Sequence, residues 1–264
     1  VEICKPLEPE DYVVQPIEDV SPPKWHLAHT TWFWEEFALA KYLDGYKRFH
    51  PRYSFLFNSY YNAVGDRVLR LHRGNMSRPT VHEILEYRHY VDRHMMVLMQ
   101  NLPEGLVPLM ELGINHEQQH QELLFTDIKY IFGHNPLFPV YQQNFLETPA
   151  SELDYSYQEI PSGTYMIGFD DNGFSFDNEL GRHNVFLPTF SIRKGLVTNH
   201  EFLAFMDDGG YSNPQYWHSD GWGWVTENKI DSPLYWHPQD GEWYRYALSG
   251  LQKVNPDEPV THIS

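Results

Sequence analysis

The chain has 264 residues, enough for one large domain or two modest ones, and 41% of them are hydrophobic. Its formal charge of -17 argues against a nucleic-acid partner, because a phosphate backbone demands a basic surface. No apolar run approaches membrane-spanning length and no signal segment opens the chain, so no membrane partner is expected.

The single cysteine, Cys4, cannot close an internal disulfide and excludes a cysteine-built zinc site. That fits a reducing, cytoplasmic setting. Any metal would fall to the fifteen histidines and the carboxylates. Pro6, Pro9, Pro16, Pro22 and Pro23 make residues 1–23 read as an extended lead-in. A helix is predicted from Lys24 to about Tyr42, stopping before Gly45. Trp25, Ala28, His29, Trp32, Phe33 and Phe37 share one of its faces at three-four spacing, which turns His29 inward and leaves His26 off that face. A lone inward histidine is more often a hydrogen-bonded core residue than a ligand. His29 gains weight only from a histidine pair later in the chain.

Asn58-Ser59 and Gly65-Asp66 mark an irregular segment around Tyr60 and Tyr61. Packing with one buried hydroxyl explains such a pair without chemistry. Arg67, Arg70, Arg73 and Arg78 form a local basic cluster. It suits forked binding of a carboxylate, although a solvated loop paired with surface acids is the simpler reading. Thr80-Val81-His82-Glu83 is a capping box. It opens a helix that runs to Leu98 and ends before Pro103, and its His82, His89 and His94 are scattered non-ligands.

The next helix is predicted from about Pro108 to a glycine stop at Gly133. It carries His116-Glu117-Gln118-Gln119-His120. Positions i and i+4 lie one above the other on a helix, so both imidazoles can take one metal ion. This is the strongest chemical signal in the chain. The pair lacks a third imidazole, and in a bundle of facing helices His29 can supply it. Beyond residue 134 the prolines multiply, and a domain boundary is placed near residue 150. Ile160–Phe169 and Asn184–Ile192 read as strands and turns. Thr198-Asn199-His200-Glu201 caps a short helix ending at Gly209-Gly210. The remainder, rich in Trp, Gly, Asp and Pro, offers little regular structure. The chain starts at Val1 and stops at Ser264 without a closing element, and trimming at both ends is expected.

Four stretches together resemble the ergothioneine-biosynthesis sulfoxide synthases. They are Pro22–Glu36, Asn58-Ser59-Tyr60-Tyr61-Asn62-Ala63-Val64-Gly65, Ser77-Arg78-Pro79-Thr80 and His116–His120. Ile160–Gly168 and Val197–Phe202 resemble the opening and first helix of that family's second domain. The resemblance implies an α+β protein. An N-terminal DinB-like metal-binding helical bundle (1–150) would precede the N-terminal part of a formylglycine-generating-enzyme-like, C-type-lectin-like domain (151–264), to be completed by another segment or a second chain. It implies Fe(II) on His29, His116 and His120, and contact between Gln119 and the trimethylated histidine, hercynine. Tyr60 and Tyr61 would be proton donors to reduced oxygen, and Arg70 and Arg73 would hold the carboxylate of the thiol substrate. The expected reaction uses O2 to join hercynine to a thiol, cysteine or γ-glutamylcysteine, as a sulfoxide.

Two other readings compete. In a zinc metallopeptidase, His116 and His120 would bind zinc and Glu117 would be the general base. That leaves His29 and the tyrosines unused. A non-catalytic DinB-like module for metal or thiol binding is the third.

Overall fold

The structure is a computed structural model that describes residues 1–61, 65–143 and 154–263. The chain divides into two compact units, Val1–Gln142 and Gln143–Ser264. The boundary placed near residue 150 and the motif residues Asn62, Ala63 and Val64 lie outside the described residues.

The first unit is built on helices. α1 (Pro23–Phe33) continues through a π-helical turn (Trp34–Leu39) into α2 (Ala40–Tyr42), covering the span predicted as one helix. Pro23 opens it, where a missing N–H costs nothing. After α3 (Tyr53–Phe57) come α4 (Val81–Met99) and α5 (Val107–Gly133). Every residue of α1 is buried, because α1 packs against α3, α4 and α5. α4 turns Ile84, Tyr87, Val91, Met95 and Leu98 inward at three-four spacing. Its predicted capping box is formed, with Thr80 and Glu83 reciprocally bonded.

The π turn admits two adjacent acids to the interior, Glu35 and Glu36. Glu35 accepts from the Tyr46 and Tyr87 hydroxyls, each at 2.7 Å, and from the Phe49 N–H at 2.9 Å. Glu36 receives the Arg48 fork at 2.9 Å on both oxygens. These charge-assisted bonds offset the desolvation of the carboxylates. A close approach joins α5 to this region: a Cβ on Gly113 would lie 2.2 Å from Cη2 of Trp34. Only glycine lets the indole rest on the helix backbone.

Two expectations change here. The lead-in is not wholly extended: it winds into short turns at Glu2–Cys4 and Asp11–Val13, pinned by Tyr12 and Tyr141 hydroxyls donating to the carbonyls of Cys4 and Ile3. Gly133 closes α5 as its last helical residue, and the following His134 stays right-handed, so no left-handed glycine cap forms.

In the second unit β1 (Tyr157–Ile160) pairs antiparallel with β4 (Phe190–Arg193), and β2 (Gly163–Ile167) with β3 (His183–Leu187). The Thr198 capping box starts α6 (Asn199–Asp207) as read from the sequence. Arg193 clamps Glu201 of that box at 2.7 and 2.8 Å, which holds the Glu201 carboxyl down at about 2. The Trp- and Gly-rich remainder is more regular than expected. It forms α7 (Ser219–Asn228) and a three-stranded antiparallel sheet of β5 (Trp236–Gln239), β6 (Glu242–Ala247) and β7 (Gly250–Lys253). Asp240-Gly241, both at positive φ, make the two-residue turn between β5 and β6. Among the described residues no helix is long and apolar enough to cross a membrane.

Candidate metal centre

α1 and α5 face each other and bring four histidines together. His29, His116 and His120 each offer a ring nitrogen, and the three nitrogens lie within 4.8 Å of one another. His29 and His116 are buried at 1% and 5% exposure, and His120 is half-buried. His29 is clamped between two indoles, stacked on Trp25 at 4.5 Å and on Trp32 at 5.3 Å. Its Nδ1 donates to the Phe57 carbonyl at 2.6 Å, which leaves Nε2 as the free nitrogen.

Burial pushes all three imidazoles below the ordinary histidine range, His116 to about 4. They are neutral at pH 7, as metal ligands must be. Among the described residues Nδ1 of His116, which is buried, has no hydrogen-bond partner, an exception among buried polar atoms. Three neutral imidazoles on one side, with positions left open, suit zinc, copper, iron or nickel. The residues therefore fit a metal ion.

The other expected residues divide. Arg73 is buried, with its guanidinium 3.4 Å over the Trp25 ring and Nη1 donating to Ser21 Oγ at 2.8 Å. Its charge adds to the downward push on His29 and His120. For this arginine the solvated-loop reading fails. Arg70 fits that reading: it lies at the surface and donates to the Asp19 carbonyl. Tyr61 packs its ring on Trp32 and Phe37, and Tyr60, largely exposed, stacks on Tyr61. Among the described residues neither tyrosine touches the three histidines directly; Tyr61 reaches His29 through Trp32. Burial pushes the Tyr61 hydroxyl far up. Gln119 is exposed on α5.

Glu117 is committed elsewhere. It accepts from Trp34 Nε1 at 3.1 Å and from Arg88 Nη1 at 2.8 Å.

His26 corrects the sequence reading. It is buried at 4% exposure, with Nδ1 3.0 Å from Nδ1 of His120 and Nε2 2.8 Å from Oδ2 of Asp127. A helix buried on every side has no outward face, so the face argument could not place it. Two spacings carried the signal. His26 lies three residues before His29, and Asp127 lies seven after His120, which puts it on the same side of α5.

Comparison with known proteins bears on both units. Residues 148–264 match the family described as sulfatase-modifying factor enzyme 1-like domain. The chain is similar to three proteins named hercynine oxygenase. That of Mycolicibacterium smegmatis is 32% identical over 157 residues, 58% of this chain and 35% of the relative. That of Mycolicibacterium thermoresistibile is 30% identical over 158 residues, 57% and 33%. That of Mycobacterium tuberculosis is 30% identical over 166 residues, 62% and 38%. The chain thus spans about a third of the length of these curated relatives.

Proposed function

We propose that the chain belongs to an O2-using enzyme that joins hercynine to a thiol as a sulfoxide, with Fe(II) held by His29, His116 and His120. In this reading Val1–Gln142 is the DinB-like metal-binding bundle and the following residues belong to the formylglycine-generating-enzyme-like domain. The convergence of three buried, neutral imidazoles within 4.8 Å carries the proposal, and the similarity to hercynine oxygenases supports it.

Bound there, Fe(II) would supply the redox chemistry of O2 and favour thiolate over thiol. The chain does the rest. Three uncharged ligands add no anion to the site, and the indoles on either side of His29 exclude water from it. Arg73, charged and fixed on Trp25, offers its fork to the carboxylate of the thiol substrate. Arg70 extends the same basic segment, and Gln119 stands beside His120 to meet hercynine. The Tyr61 hydroxyl, kept protonated by burial and backed by Tyr60, is the proton donor to reduced oxygen. The reaction breaks one C–H and one S–H bond and forms one C–S and one S–O bond. The second oxygen atom leaves as water. Holding both organic substrates in one site makes C–S bond formation effectively intramolecular.

The geometry of Glu117 disfavours the peptidase reading, since a general base must face bound water and this carboxylate faces Trp34 and Arg88. The test is anaerobic loading with Fe(II), then oxygen uptake with hercynine plus cysteine and, separately, plus γ-glutamylcysteine. Uptake that needs both substrates and yields a sulfoxide is expected, and the faster thiol names the donor. His29→Ala should lose both stoichiometric iron and uptake. Tightly held zinc with peptide hydrolysis and no uptake would overturn the proposal.

A further inference from the structure

Behind the three histidines runs a line of hydrogen bonds that the proposed chemistry does not use. Oδ2 of Asp127 accepts from the Ser21 N–H at 2.9 Å and lies 2.8 Å from Nε2 of His26. Nδ1 of His26 lies 3.0 Å from Nδ1 of His120. Each proton position fixes the next. An oxygen already receiving a backbone N–H is an acceptor, so His26 carries its proton on Nε2. A neutral ring then presents Nδ1 as a lone pair. The 3.0 Å contact needs one proton between two nitrogens, and it comes from Nδ1 of His120. That leaves the Nε2 lone pair of His120 bare.

We propose that Asp127 and His26 are positioning residues that hold His120 in the tautomer whose Nε2 faces the metal. The inference rests on the metal-centre reading above. Metal-bound imidazoles characteristically give their second N–H to a carboxylate or carbonyl, which fixes ring and tautomer. His29 does this with one bond, to Phe57. His120 does it through an intervening imidazole. Ser21 ties the line to the substrate side, since its backbone donates to Asp127 while its hydroxyl accepts from Arg73.

Two measurements test this on the full chain. In the metal-free protein, long-range proton–nitrogen NMR should show His120 protonated on Nδ1 and bare on Nε2. A proton on Nε2 would mean that both His26 nitrogens donate, and would overturn the relay whether or not a variant folds. In Co(II) titrations followed by the visible spectrum, Asp127→Ala and His26→Leu should each weaken binding by roughly 10- to 100-fold. Combined, they should cost little more than either alone, because they cut one line. His26→Gln should recover most of the affinity, since its amide can accept from His120 and donate to Asp127, and Asp127→Asn should recover part of it. Wild-type affinity in Asp127→Ala and His26→Leu, with binding lost in His29→Ala, would overturn the relay and keep the metal centre. Equal affinity in wild type and His29→Ala would overturn the metal centre itself, and the relay with it.

Discussion

Glu117 sits inside the His-x-x-x-His frame of α5, and its carboxylate joins that helix to neighbouring elements. Its partners are the Trp34 N–H and the Arg88 guanidinium. Glu117→Ala would leave both donors short of an acceptor, at a cost of about 1–3 kcal/mol. One metal ion per chain should remain. Calorimetry and metal analysis of that variant check this; metal lost at unchanged stability would contradict it. The histidines carry a second expectation at this scale. His116 titrates at about 4 when folded, against 6.5 for the ordinary group. Between those values the unfolded chain binds more protons than the native one, so stability rises with pH. The metal-free protein should therefore lose melting temperature steadily as pH falls from about 6.5 towards 4, and a flat profile would contradict the burial of these rings. His116 and His120 were legible because four-residue spacing survives any packing. His29 needed the apolar face around it. His26 and Asp127 escaped because their contacts depend on which helix lies opposite, and spacing within one segment does not encode that.

At the scale of elements, α1 is the hub of the first unit. Its sequence declares a helix and an apolar face, but not the π turn at Trp34–Leu39 that seats Glu35 and Glu36 inside. Both acids look like surface residues until Tyr46, Tyr87 and Arg48 are placed around them. The join of α1 to α5 depends on Gly113, whose missing side chain is occupied by the Trp34 ring. Gly113→Ala should cost about 1–3 kcal/mol by overpacking and weaken metal binding as the two histidine-bearing helices part. Equal Co(II) affinity in that variant would show that the site adapts. Capping boxes at Thr80 and Thr198 were readable because their chemistry is local. The β5–β6 hairpin was not read, although Asp240-Gly241 is a strong turn signal. Tryptophan and glycine on either side obscured the alternation that marks strands.

At the scale of the whole molecule, the chemistry is unevenly shared. The three clustered histidines, together with His26, Asp127 and Arg73, belong to Val1–Gln142. That unit produced alone should bind one Co(II) with the affinity of the full chain, read by the same visible spectrum. A tenfold or larger loss would mean that the second unit shapes the centre. The indoles divide in a related way: of the chain's eight tryptophans, Trp25, Trp32 and Trp34 fall in the first unit, and two of these are stacked on His29. An open-shell cation bound to His29 would sit beside two strong ultraviolet emitters and darken them. With a metal there, the chain would carry its own optical gauge of occupancy, and fluorescence at micromolar protein would follow loading and loss without any added dye.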